Sequence, residues 1–184
     1  MLYTVRKRRC NEQGFSLLEM MLATMILLVG LVAIAQLVPA TIMLNYRNRT
    51  DSAAMVFAQR ELDFMLDQPL SATSFTDPPL NVYCPASTTC KLGSPSPPNQ
   101  VQGSPLVVVN NQTLIDFNSA AITNWSFTYQ DPNDPSGATY DIRWAVIVTG
   151  NGSNISSKRF LIGIRQVGGS GYFQPITLDT MVER

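Results

Sequence analysis

The sequence predicts an α+β protein: one long N-terminal helix, membrane-spanning in its first half and amphipathic in its second, packed on a small antiparallel β-sheet head. Three observations predict it. No charged residue occurs between Met20 and Tyr46, a run longer than the ~20 apolar residues that carry a helix across a bilayer. From there to Leu66, apolar residues continue at helical spacing. After Pro105 the pattern turns to period-two alternation, broken by stretches rich in Gly, Asn and Pro.

The first element is the approach to the apolar run. Arg6, Lys7, Arg8 and Arg9 precede it and Gly14 and Phe15 open it. A cleavable secretory signal has an apolar core of only ~7–15 residues, which this run exceeds. Cys10 lies before the run rather than after it, so it is not a lipobox cysteine. A twin-arginine signal fits poorly, because the run is long and carries an acid. The basic cluster should hold the N-terminus in the cytoplasm and leave the body outside; Arg47 and Arg49 oppose this with less charge. A plain signal anchor satisfies this hydropathy. It gives no reason for Glu19, a carboxylate placed where the membrane makes a charge expensive.

The junction "GFSLLEMMLA" closely resembles the processing site of bacterial type IV prepilins and type II secretion pseudopilins, with Gly14, Phe15 and Glu19 in register with the anchor. The resemblance implies that residues 1–14 are a basic leader, cleaved after Gly14 by prepilin peptidase, and that Phe15 becomes the N-methylated N-terminus. It also implies that Glu19 pairs with the Phe15 amine of a neighbouring subunit. Glu19 lies one helical turn from Phe15, at similar depth, and opposite charges in an apolar medium are tolerated when paired. The plainer alternative is an interfacial glutamate that reaches water. Within the family the chain looks most like the PilV-type minor pilins, with the I-type minor pseudopilins of type II secretion close behind. In assembled pili of this kind the helix between a glycine and a proline loses helicity. Gly30 and Pro39 are the matching helix-break positions, the alternative being a kinked but intact helix.

Residues 15–45 therefore form the transmembrane and assembly half of the helix, and residues 46–68 its periplasmic half. In the second half, Met55, Ala58, Leu62, Met65 and Leu66 make one apolar stripe. Phe57 and Phe64 lie nearly opposite, with Arg60, Asp63 and Asp67 in a polar strip between. The stripe is expected to meet the head and the phenylalanine side to suit contact with other subunits, the alternative being a helix wrapped by its own head. Pro69 ends the helix.

Residues 69–105 read as a loop rich in Pro and Ser: eight of the twelve prolines fall between 67 and 105. Cys84 and Cys90 enclose "PASTT". A disulfide there staples a small loop, whereas a zinc site needs ~four ligands and the C-x-x-C redox spacing is missing. Cleavage would remove Cys10 with the leader and leave an even number of cysteines, as suits an oxidising compartment. Residues 106–184 form the sheet head. "LVVV" (106–109) and "LIDF" (114–117) are short strand candidates. "WSFTYQ" puts Trp125, Phe127 and Tyr129 on one face; "YDIRWAVIVT" does the same for Tyr140, Ile142, Trp144, Val146 and Val148; "KRFLIGIRQV" follows with Phe160, Ile162 and Ile164. Short polar connections favour an antiparallel meander whose aromatic face packs on the helix. In "DPNDPSG", Asp131, Asn133 and Asp134 are a weak calcium candidate. Two prolines and the lack of a distal glutamate make an Asx-rich turn the main reading.

Composition narrows function. There is no histidine, which removes the usual general base and metal ligand, and no nucleophile motif replaces it, so no enzyme is expected and no cofactor. The leader holds four of the thirteen basic residues and one of the thirteen acids, leaving the remainder at −3. General nucleic-acid binding, which needs a basic footprint, is not expected. What the resemblance implies is a minor pilin, with an I-type secretion pseudopilin as the alternative. Its partners would be other pilins, prepilin peptidase, an inner-membrane assembly platform and membrane lipid. Its location would be the bacterial inner membrane, single-pass with a periplasmic head, and then the filament. A membrane-anchored protein whose head catches a ligand or surface is the reading from another class.

Overall fold

A computed structural model describes residues 14–76, 84, 89–130, 137–151, 154–167 and 175–183. The chain divides into two compact units, Met1–Tyr46 and Arg47–Arg184. The fold has the predicted α+β organisation: a single helix α1 (Leu17–Leu66) followed by antiparallel strands. The first unit, as described, is helix from Leu17 onward, with its large apolar side chains exposed. It is long and apolar enough to cross a membrane.

The second unit is built on three long strands. β7 (Thr139–Asn151) and β8 (Asn154–Val167) pair along almost their whole length, and β9 (Ile176–Glu183) adds to β8. The other edge of β7 is shared by two short strands. β6 (Ser126–Gln130) pairs with 139–143 and β3 (Val101–Gly103) with 145–147. Trp144 sits at the changeover. Its N–H donates to the Trp125 carbonyl (3.2 Å) and its carbonyl accepts from Ser104 N–H (2.9 Å), so no backbone group is orphaned between the two partners. The expected meander β6–β7–β8 is present, and β9 extends it. Tyr140, Ile142, Trp144, Val146 and Val148 are buried on one face with Phe160, Ile162 and Ile164, as their alternation requires.

The helix meets this face along Ala54, Ala58, Leu62 and Met65, with Thr50 and Glu61 buried beside them. This corrects the predicted stripe. Met55 is 43 % exposed, and Phe57, expected to face other subunits, packs edge-on against Tyr129 (4.9 Å) and Tyr140 (5.2 Å). The sheet's inward side chains are themselves large. Small alanines let the helix come close, and the biggest helical side chains are pushed to the flank. Ile176, Leu178 and Val182 pack against the same core.

The segment expected to be loop is partly core. β1 (Ser74–Phe75) pairs with β2 (Cys90–Lys91), and Phe75, Cys84, Cys90 and Leu92 are buried. A proline-rich composition does not keep these four residues out of the core. The opposite face of the sheet is covered by a hairpin, β4 (Leu106–Val109) and β5 (Gln112–Ile115). Its two-residue turn uses Asn110 and Asn111 at φ 50° and 61°. Ile115 and Phe117 drop onto Ala145, Leu161 and Gly163. A Cβ on Gly163 would lie 2.7 Å from the Ile115 Cβ and 3.0 Å from a Phe117 ring carbon, so the hairpin seats only on a glycine.

Phe117 is clamped by charge. The Arg143 and Arg165 guanidinium carbons lie 5.0 and 4.9 Å from its ring centroid. Arg143 forks onto buried Asp141 (Nη2–Oδ2 2.8 Å) and donates to the Ser119 carbonyl (2.6 Å). Asp116 accepts from Ser119 Oγ (2.6 Å) and Asn118 N–H (2.8 Å), bonds that hold its carboxyl below the usual carboxylate range.

Candidate processing and assembly site

Gly14, Phe15 and Ser16 precede the helix, and the first intrahelical bond runs from Met20 N–H to the Ser16 carbonyl (3.2 Å). Ser16 thus takes the N-cap position and Glu19 the third helical position, a capping-box sequence. The sequence reading passed over Ser16; the signal was the S-x-x-E spacing itself. Phe15 is 80 % exposed, and nothing lies within 4 Å of a Cβ built on Gly14. The Gly14–Phe15 peptide is therefore outside regular structure, and among the described residues nothing crowds it. This chain's own fold places no demand on a glycine at 14.

Glu19 lies in the first turn and is exposed. A carboxylate there is favoured by the positive end of the helix dipole. Hydrolysis after Gly14 would place an ammonium on Phe15, immediately before the N-cap, where that dipole opposes it. Glu19 supplies the opposite charge at that end of the helix, within its own chain or to another. Gly30 and Pro39 lie inside the uninterrupted helix, both exposed. Pro39 has no N–H to offer the Ala35 carbonyl. One turn along, Thr41 Oγ1 donates to the Leu37 carbonyl (2.8 Å), and earlier Thr24 Oγ1 donates to the Met21 carbonyl (2.9 Å), so neither hydroxyl brings an unsatisfied donor into the apolar span.

A family model described as the prokaryotic N-terminal methylation motif matches residues 9–35. The chain carries the prepilin-type methylation motif. Neither curated proteins nor solved structures give a match. The motif marks a type IV pilin-like or pseudopilin substrate of prepilin peptidase, and motif and apolar helix together point to membrane anchoring and assembly with other pilins. The match takes in Gly14, Phe15, Glu19 and Gly30 and stops short of Pro39.

The other predicted site residues lie in the second unit. Cys84 and Cys90 are disulfide-bonded and fully buried. Closing so short a loop is worth about 2 kcal/mol in the chain-entropy account. Asp131, Asn133 and Asp134 lie outside the described residues. Sequence reasoning did not single out Lys158, a fully buried lysine on the inward face of β8 whose ammonium donates to the Ala72 carbonyl just after the helix. Burial pulls its pKa down to about 8. The signal was available, since Lys158 shares the inward alternation of Phe160, Ile162 and Ile164.

Proposed function

We propose that the chain is a minor pilin of a type IV pilus system. Residues 15–45 anchor it as a single pass in the bacterial inner membrane, with its head in the periplasm. Prepilin peptidase removes residues 1–14, Phe15 is N-methylated, and the subunit joins other pilins through α1 at an inner-membrane assembly platform. Its role is structural rather than enzymatic. The observation that carries this reading is the register of the methylation motif with the helix start: Gly14 and Phe15 stand outside the helix and Glu19 in its first turn. The exposed apolar surface of the first unit supports it, since side chains such as Leu22, Ile26, Val29 and Ile34 need lipid or other helices around them.

The mature N-terminus tests the reading. Peptide mass spectrometry on cells with active peptidase should find N-methyl-Phe at Phe15; an intact Met1 terminus would refute it. Glu19→Gln should be cleaved and inserted normally but reach sheared filaments at a level at least tenfold lower. Wild-type incorporation would leave Glu19 with only its place at the helix N-terminus. Co-purification with secretion pseudopilins instead of pilus subunits would move the assignment to the I-type pseudopilin.

A further inference from the structure

The second unit holds a groove of about 540 Å³ between the β1–β2 ladder, the Gly93–Ser94 turn and β3. That is within the ~300–1,000 Å³ typical of small-ligand sites. Its lining is chemically one-sided. Thr73, Ser74, Thr89 and Ser94 bring hydroxyls, Gln102 an amide and Lys91 one ammonium; among the described residues no carboxylate lines it. Trp125, only 7 % exposed, contributes an apolar strip of its indole to the wall. The Gly103 backbone holds that indole closely, because a Cβ there would come within 2.5 Å of Trp125 Cε3.

The Gln102 amide is fixed before any ligand arrives. Gln102 Nε2 donates to the Ser94 carbonyl (2.7 Å) while its Oε1 accepts from Ser94 N–H (2.8 Å). An amide has two N–H groups and two acceptor lone pairs, so one of each remains for a ligand. The floor is anchored too: Lys91 N–H donates to the Asn124 carbonyl (3.0 Å), and the Lys91 carbonyl accepts from Trp144 Nε1 (2.8 Å). Immobilised donors and acceptors lower the ordering cost of binding.

The lining selects among ligand classes. A nucleic acid or other polyanion needs several cations, and here there is one. An apolar peptide or lipid tail would strand the hydroxyls and the amide without water. A neutral polyhydroxylated ring satisfies both kinds of wall, offering hydroxyls to Gln102 and the Ser and Thr side chains and C–H surface to Trp125. We propose that this groove binds a neutral saccharide, a mono- or disaccharide unit. The groove lies wholly within the second unit, so the proposal stands or falls apart from the filament role.

The test uses the full chain in a detergent without a sugar headgroup. Saturation-transfer NMR and tryptophan fluorescence would be followed during titration with glucose, N-acetylglucosamine and cellobiose, with inorganic phosphate as the anion probe. At least one saccharide should saturate below about 10 mM, a modest affinity for a shallow polar site. Thr89→Trp, on an exposed wall residue, should weaken it at least tenfold with the near-ultraviolet circular dichroism otherwise retained. Ser94→Tyr is the second blocking variant should the first misfold, since Gln102 uses only the Ser94 backbone. Lys91→Met should change affinity less than about twofold. No saturable saccharide, saccharide binding that survives both blocking variants, or phosphate binding abolished by Lys91→Met would each overturn the proposal.

Discussion

Gly30 and Gly163 answer to different things. Around Gly163 every neighbour is in place: the hairpin seats on it, and a methyl group would collide with Ile115 and Phe117. A Cβ added at Gly30 would meet nothing within 4 Å outside its own helix backbone, although glycine in a helix is the weaker choice by ~1 kcal/mol. The two misplaced charges divide the same way. Lys158 is buried in the second unit and finds the Ala72 carbonyl inside it. Glu19 is exposed in the first unit, in the first turn of a helix long and apolar enough to cross a membrane. The second unit contains the contacts that account for its own residues, while under the proposed function the first carries residues whose reasons lie in a peptidase, a membrane or another subunit.

That contrast breaks first at Gly163. Gly163→Ala should destabilise the second unit by about 2 kcal/mol, the usual range for forcing volume into a packed site. Denaturant unfolding of the full chain in detergent, read by tryptophan fluorescence, would measure it. An unchanged midpoint would mean the hairpin is free to shift and the second face is loosely held.

Lys158 sharpens the contrast through pH. Its folded pKa of about 8 lies below the usual 10.5, so the unfolded chain holds more protons between those values. Stability should therefore rise as pH increases from about 8 toward 10.5, with a slope of at most about 1.4 kcal/mol per pH unit from this group. Lys158→Met should remove that slope. The comparison is the difference between wild-type and variant unfolding curves across the window, because other groups titrate in both. Equal slopes would show that the amine reaches water.

The elements that follow one strong period were legible from the sequence. The helix, the meander β6–β8, its inward aromatic face and the disulfide all stand where the residues put them, and the methylation-motif match takes in Gly14 and Phe15. What escaped depends on partners far apart in the chain. The contact stripe on α1 follows small alanines because the opposing sheet supplies the bulk, which helical periodicity alone does not reveal. Phe75 and Leu92 are core residues inside a proline-rich stretch, because Phe75 pairs with Cys90 and Leu92 N–H bonds to the Thr73 carbonyl. The clamp on Phe117 joins residues 116–119 to 141, 143 and 165, groups that look like an ordinary polar face one strand at a time. β9 was readable, since Ile176, Leu178 and Val182 alternate after Pro175, but polar Thr180 in their row and apolar Met181 in the other weaken the pattern. Gly14 and Phe15 were legible because the methylation motif is a short sequence pattern rather than a packed environment.

Gly30→Ala is the smallest effect and the sharpest comparison, because the same substitution should have the opposite sign at 30 and at 163. At 30 the added methyl meets open space, and the helix gains up to ~1 kcal/mol locally. The unfolding midpoint of the second unit should not move, and amide exchange near residues 26–34 should slow in detergent. If helix opening between Gly30 and Pro39 accompanies assembly, that gain opposes it, and the variant should enter filaments less well despite normal cleavage at Gly14. Unimpaired incorporation together with slowed exchange would show that the helix need not open there. Gly30 would then serve close helix packing instead, a role that Gly30→Leu should disrupt and Gly30→Ala tolerate.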